Sequence, residues 1–265
     1  MPEFQEKAVL LRRERIAPAI LRLTLHAPNI VKQASPGQFV MLRIARTLDP
    51  LLRRPFSIHQ VQTDGSLQVL FKVVGHGTEL LSHCQIDDVL DCIGPLGHGF
   101  SLPDTTGGPC CLVGGGMGIA PLYFLAGWLR KNKQGNPDDK VLLGGRTKEE
   151  VAVFAEEFAM LGFQVHVATD DGSMGHHGLV PELLPAFLHN RYQVYTCGPM
   201  LMMKTVADMA LAADSPCQVS LETHMACGLG ACLGCAVPAA GGLAGYVHVC
   251  RQGPVFEARE VAWPV

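Results

Sequence analysis

Four cysteines near the C-terminus, Cys227, Cys232, Cys235 and Cys250, follow the spacing C-x4-C-x2-C…C. This is the plant-type ligand pattern of a [2Fe–2S] cluster. Such a cluster moves one electron at a time, so a chain that holds one is most simply a relay between two redox partners. The spacing has a physical reading. Four thiolates must converge on two irons, so three come from one tight loop and the fourth from a strand folded back against it. Gly228, Gly230 and Gly234 interleave with the cysteines, which lets backbone N–H groups approach the sulfurs and tune the potential. From Thr223 to Cys250 there is no Asp, Glu, Lys or Arg. Carboxylates there would add like-charge repulsion to a site that is already net negative. Structural zinc is the other reading of four cysteines, and with it a zinc-stapled nucleotide-binding module. Zinc usually takes two C-x2-C pairs, and the segment holds only one, so the spacing favours the cluster.

Two further segments have the residue types for binding phosphates. Gly114-Gly115-Gly116-Met117-Gly118-Ile119-Ala120-Pro121 joins an apolar run to a helical pattern. Its glycines would let backbone approach a pyrophosphate at a helix N-terminus. It departs from the G-x-G-x-x-G fingerprint, because Pro121 stands where the third glycine would be. Cys197-Gly198-Pro199 is a second junction of the same kind, and both should lie along one edge of a sheet. Nearer the N-terminus, Arg53-Arg54-Pro55-Phe56-Ser57 offers a guanidinium suited to phosphate and a hydroxyl able to bond a ring edge. Gly77-Thr78 suggests a helix start, with Thr78 as its cap. The bland alternatives, an exposed cation on a strand and an ordinary turn, fit those two segments equally well.

These groups need a scaffold, and composition bounds it. With 48% hydrophobic and 17% charged residues over 265 positions, the chain can bury more than one core. A net charge of −3 gives no reason to expect nucleic acid or an anionic membrane as partner. Ten cysteines without an apolar leader suggest redox or metal chemistry in the cytoplasm rather than a disulfide framework. The uncharged stretch Thr105–Leu129 is long enough to span a bilayer, but its glycines and prolines describe strand, loop and helix in succession. Residues 1–102 read as a β domain, with strands over 7–15, 19–26, 38–45, 55–62 and 66–74, at a spacing that suggests a small antiparallel barrel. Residues 103–216 alternate strand and helix, which implies a parallel sheet with a nucleotide site at its carboxyl edge. Residues 217–265 form the cysteine segment and tail. The expected fold class is therefore α+β multidomain: barrel, α/β nucleotide domain, small cluster subdomain.

In their order, Arg54-Pro-Phe-Ser57, Gly77-Thr78, Gly94-Pro-Leu-Gly97, the glycine loop with Pro121 and Cys197-Gly-Pro199 resemble the ferredoxin–NADP reductase superfamily. The cysteine loop and Cys250-Arg-Gln-Gly-Pro-Val-Phe256 narrow the resemblance to the electron-transfer subunits of NAD-linked, two-subunit dihydroorotate dehydrogenases. It covers nearly the whole chain. It implies that Arg54, Pro55, Phe56, Ser57, Phe71, Lys72, Val73, Gly77 and Thr78 hold FAD. It implies that Gly114, Gly115, Gly116, Gly118, Pro121, Cys197, Gly198 and Pro199 hold NAD(H), with Ser57 and Cys197 as the candidate catalytic positions. Cys227, Cys232, Cys235 and Cys250 would ligate the cluster. The implied partner is an FMN-containing subunit that oxidises dihydroorotate in pyrimidine biosynthesis, assembled as a heterotetramer. Sibling reductase subunits of a hydrogenase, a sulfite reductase or a ferredoxin–NADP reductase are the nearest alternatives. Arg146 would suit the 2′-phosphate of NADP, whereas Asp170 or Asp171 would bond a ribose hydroxyl, so the dinucleotide stays open. His176-His177 beside these aspartates reads as a polar loop rather than a metal site, since no ligand spacing supports it.

Overall fold

The structure, a computed structural model, describes residues 3–45, 47, 49–101, 108–132, 136–188, 192–240 and 245–263. The expected division at 102/103 lies outside the described residues.

The N-terminal half closes into a six-stranded antiparallel barrel. Its strands are β1 (Phe4–Ala17), β2 (Ile20–His26), β3 (Phe39–Arg43), β4 (Arg54–Val61), β5 (Ser66–Lys72) and β6 (Val89–Leu96), hydrogen-bonded in the order β1-β2-β5-β4-β3-β6. Alternate residues of β1 and β2, with Val40, Ile58, Leu67 and Val69, fill the interior, as the two-residue period of a strand requires. Two short helices complete the barrel. Helix α1 (Pro28–Gln33) buries Ile30, and α2 (His76–Ser82) buries Leu81. Helix α2 begins two residues earlier than expected. Thr78 therefore does not stand at the cap but in the first turn, where its Oγ1 accepts the backbone N–H groups of Val74 and Gly75 at 3.0 and 3.2 Å.

The second half is a seven-stranded sheet. Strands β7 (Cys110–Gly115), β8 (Lys140–Gly145), β9 (Gln164–Thr169), β10 (His176–His177), β11 (Gln193–Cys197) and β12 (Cys217–Ser220) run parallel, and β15 (Val255–Glu257) closes one edge antiparallel. The order is β10-β9-β8-β7-β11-β12-β15. Every residue of β7 is buried, as expected of a parallel strand covered by helices on both faces. The helices are α3 (Ile119–Lys131), α4 (Lys148–Met160), α5 (Pro185–Leu188) and α6 (Met200–Ala212). No helix among the described residues is long and apolar enough to cross a membrane.

Between β12 and β15 the chain makes the cysteine loop, a two-stranded ribbon of β13 (Ala236–Pro238) and β14 (Tyr246–His248), and the short helix α7 (Val249–Gln252). Residues 217–220, grouped with the tail in the sequence reading, thus form a strand of the large sheet. The loop is rooted in that sheet at both ends.

Barrel and sheet meet along α3 and α4. His59 of β4 is fully buried, its Nδ1 is 3.3 Å from the Ala120 carbonyl, and its ring stacks on Tyr123 at 4.6 Å. Arg22 donates two hydrogen bonds to the Glu157 carboxylate, at 2.6 and 2.8 Å. Lys72 bonds Glu150 at 2.8 Å.

Candidate functional site: a cleft, a sheet edge and a cysteine loop

A cleft of about 280 Å³ opens between the barrel and the sheet. Strands β4 and β5 supply Pro55, Phe56, Ser57, Phe71 and Lys72 to one wall, and Thr78 comes from α2. The other wall holds Met117 and Ala120 from the glycine loop and α3, and Ser220 to Thr223 and Met225 from the segment leaving β12. The walls are largely apolar with a few convergent polar groups, as expected of a site for a flat heteroaromatic ring. The Oγ1 of Thr223 is buried without a hydrogen-bond partner among the described residues, so a ligand in the cleft would find an unused polar atom there. Glu222 is open to the cleft yet walled by protein, and desolvation raises its carboxyl above the ordinary range.

Beside the cleft, Arg54 and Arg53 have separated roles. Arg53 is tied to Asp91, bonding its backbone carbonyl at 2.8 Å and its carboxylate. Among the described residues Arg54 bonds only backbone carbonyls, and it lies over Gly77, at the start of α2, which leaves its charge for an anion.

The carboxyl edge of the sheet carries the second feature. The order of strands reverses between β7 and β11, and there Gly114 pairs in register with Cys197. This is the topological switch point at which open α/β sheets bind their ligands. The two junctions are pressed together. A Cβ on Gly118 would overlap the carbonyl of Cys197, and one on Gly198 would fall 2.8 Å from the Gly115 oxygen. The Gly114–Gly118 backbone, including a single 3₁₀ turn, then enters α3 with Pro121 in its first turn. Pro199 precedes α6. Cys197 is fully buried, and burial together with the nearby Glu222 carboxylate holds its thiol well above the ordinary range.

In the cysteine loop, Cys235 immediately precedes β13 and Cys250 lies in the first turn of α7, just after β14. Pairing of Ala236 with His248 brings the two thiols within 3.2 Å. The Cys227 sulfur accepts the N–H groups of Leu229 and Cys232, each at 3.4 Å. Burial alone would raise the Cys227 thiol, but these donors outweigh it and bring it down to about 6. Cys250 is pushed up to about 12 by burial and by Cys235 beside it, although the N–H of Gly230 reaches its sulfur at 3.2 Å. Gly230 has φ of +79°, a conformation that glycine adopts without steric cost. Among the described residues no set of three His, Cys, Asp or Glu side chains gathers about one point. The thiols instead fall into two pairs, Cys227 with Cys232 and Cys235 with Cys250. Two pairs wrapped in N–H donors fit two irons better than one tetrahedral ion.

Known proteins match this chain in two segments and over its length. Residues 7–100 match the family described as oxidoreductase FAD-binding domain, and residues 222–262 match the iron–sulfur cluster binding domain of dihydroorotate dehydrogenase B. The chain is 43% identical over 252 residues to the electron transfer subunit of dihydroorotate dehydrogenase B (NAD(+)) from Desulforamulus reducens, covering 94% of each. To the subunit of the same name from Bacillus caldolyticus it is 40% identical, covering 97% of this chain and 98% of that one. The chain belongs to this family of electron-transfer subunits. It is an oxidoreductase subunit with an FAD-binding domain and a cluster-binding domain. Among solved structures, one described as an NADH-dependent reduced ferredoxin–NADP oxidoreductase superposes with a TM-score of 0.84 at 31% identity, over 97% of this chain and 90% of that one. A ferredoxin NADP+ reductase from Neisseria gonorrhoeae, at 19% identity and a TM-score of 0.64 over 80% of this chain and 91% of that one, shares the fold.

Seen from the family's expected site, the structure gathers Pro55, Phe56, Ser57, Phe71, Lys72 and Thr78 on the cleft, with Arg54 and Gly77 at its rim. Val73 packs against the barrel core, and its neighbour Val74 lines the cleft. Gly114, Gly115, Gly116, Gly118, Pro121, Cys197, Gly198 and Pro199 converge on the switch point, and Cys197 does not line the cleft. Sequence reasoning missed Glu222, Thr223 and Met225, which flank the cysteine motif but face the cleft. It also missed Arg251. This first charged residue after the uncharged stretch folds back so that its Cδ lies 2.8 Å from where a Gly230 Cβ would be. His176 pairs with Glu182 at 2.6 Å, and Asp171 accepts from Ser173 at 2.6 Å.

Proposed function

We propose that the chain carries electrons from a dihydroorotate-oxidising flavin subunit to NAD+, using the cysteine loop, the cleft and the sheet edge in that order. One observation carries the reading: the segment from Ser220 to Met225 walls the cleft and reaches the first cluster cysteine two residues later. Two residues span at most ~7 Å. When bound, FAD exchanges a hydride with nicotinamide and single electrons with the cluster, which neither of those groups can do with the other.

The chain's own residues bind and orient. Arg54 and the N–H groups at the start of α2 take the flavin phosphates. Ser57 and Thr223 offer hydroxyls to the ring edge. Gly114, Gly115, Gly116 and Gly118 bring backbone to the dinucleotide pyrophosphate. Cys197, a neutral thiol at neutral pH, packs the nicotinamide end. The cluster is held by Cys227, Cys232, Cys235 and Cys250. The partner docks over the uncharged loop, where Leu233 and Tyr246 are exposed, and the assembly is a heterotetramer. Ten free cysteines suit the reducing cytoplasm. The functional divisions are 1–102 for FAD, 103–216 for NAD(H) and 217–265 for the cluster, the last segment lending β12 and β15 to the large sheet.

A second reading, a subunit that serves a ferredoxin-coupled NAD(P)H reductase, has the 0.84 superposition in its favour. Reconstitution separates the two. The purified chain mixed with an FMN-containing dihydroorotate-oxidising subunit should form NADH from dihydroorotate and NAD+. No complex and no NADH would end the first reading. A colourless zinc protein, in place of a yellow-brown one with flavin and iron–sulfide bands, would end both.

A further inference from the structure

We propose that Glu150 sets the dinucleotide preference of this chain by clamping Arg146, so that the adenosine end of the site accepts a free ribose hydroxyl and rejects a 2′-phosphate. The inference deepens the proposed function and rests on the dinucleotide lying across the carboxyl edge of the sheet.

With pyrophosphate at the end of β7, the adenosine half must cross the ends of β8 and β9. Arg146 is the residue that follows β8, and Asp170 follows β9, with its N–H bonded to the Gly145 carbonyl at 3.1 Å. The Arg146 side chain is 67% exposed, so by position it could grip a phosphate in the forked manner that guanidinium favours. It is already gripped. Its Nε donates to the Glu150 carboxylate at 3.1 and 3.3 Å, its Nη2 to the same group, and its backbone N–H at 3.3 Å.

Glu150 cannot swing away to release it. Its side chain is 16% exposed, and Lys72 reaches across from the barrel to hold one oxygen at 2.8 Å. The Arg146 and Lys72 hydrogen bonds hold this carboxyl at about 2, so it stays ionised throughout the neutral range. An arriving 2′-phosphate brings a charge of about −1.5 to −2. It would meet a guanidinium whose fork is occupied, with Glu150 behind it and Asp170 beside it. A ribose hydroxyl brings no charge and can donate to a carboxylate. Discrimination here comes from a built-in repulsive group as much as from an attractive one.

The experiment compares the unaltered flavin-loaded chain with Glu150→Gln, Glu150→Asp and the double variant Glu150→Gln/Arg146→Gln. Two readouts are taken: kcat/KM for flavin reduction by NADPH and by NADH, and calorimetric binding of adenosine 2′,5′-bisphosphate against 5′-AMP, which needs no redox activity. Removing one negative charge a few ångströms from a phosphate predicts that Glu150→Gln raises the NADPH/NADH ratio about tenfold, and the bisphosphate/AMP ratio likewise. Glu150→Asp keeps the charge and should retain the NADH preference. The double variant should lose the gain, because the freed guanidinium is what takes the phosphate. An unchanged ratio in Glu150→Gln overturns the proposal, as does a gain that survives loss of Arg146. A purely structural role through Lys72 would lower both dinucleotides by one factor, and that too overturns it. Failure of the underlying site shows separately, as no flavin reduction by either dinucleotide in the unaltered chain.

Discussion

The cysteine loop and the dinucleotide edge are built in opposite ways. In the loop, side chains do the binding. The four cysteines from Cys227 to Cys250 supply two pairs of sulfurs, and the N–H donors that steady them, from Leu229, Gly230 and Cys232, belong to the same stretch. At the sheet edge, the proposed binding falls to backbone. Two junctions far apart in sequence, Gly114–Gly118 and Cys197–Pro199, are brought into contact by pairing of β7 with β11. A side-chain site tolerates variation around its ligands. A backbone site of this kind depends on what its neighbours lack, since any Cβ on Gly118 would occupy the space of the Cys197 carbonyl.

That contrast predicts its own largest effect. Gly118→Val should separate the two junctions, costing about 2–3 kcal/mol of stability through overpacking and at least ~100-fold in the rate of flavin reduction by NADH, since small misplacements of bound reactants are this costly. Stopped-flow flavin bleaching and thermal unfolding measure both. A variant that keeps its NADH reactivity would mean that the edge is not the binding surface, and the comparison would fail at its first step.

Cys232→Ser probes the other region. Cys232 is the exposed member of the four, and serine is a poor iron ligand. Electron transfer to or from the partner should fall by at least ~100-fold, whereas NADH reduction of the flavin should stay within about threefold, because the cleft and sheet edge do not include this residue. Loss of both reactions would argue that the loop also shapes the cleft, and that the two regions are one.

The same contrast explains what was legible in the sequence. Cluster ligands are readable because their geometry is local and the spacing encodes it. The glycine junctions are readable as strand-to-helix turns, but their contact is a product of topology. The closing strand of the barrel, β6, is not legible as a strand, because Gly94 and Pro95 interrupt it and its pairings with β1 and β3 are both long-range. Nothing in the local sequence of Glu222 and Thr223 reveals the cleft that β12 carries them into. Lys72 was expected to hold FAD, and it lines the cleft, but its ion pair with Glu150 joins two domains and no single-segment pattern contains it. Arg53 and Arg54 are adjacent, and only the fold assigns one to Asp91 and leaves the other open.

The smallest effect concerns the seam that holds the two halves of the cleft together. His59 is buried between β4 and α3, and burial, with Arg22 nearby, lowers its pKa from 6.5 to about 3. Between those values the unfolded chain binds a proton at this site and the folded chain does not, so stability falls as pH drops below about 6.5. From about pH 7.5 to about pH 5.5 the loss from this group is on the order of 1 kcal/mol. His59→Phe keeps a ring against Tyr123 and removes the titration, so that denaturant midpoints at the two pH values should move closer together by that amount. Because His59 lies on the seam between β4 and α3 beside the cleft, whereas the cysteine loop is held by β12 and β15 and packs on the barrel through Met41 and Leu96 instead, acidification should loosen flavin before it disturbs the loop. Flavin fluorescence released at about pH 5.5 from the unaltered chain, and retained in His59→Phe, would locate the weak point between the two regions. An equal pH response in both proteins would move it elsewhere.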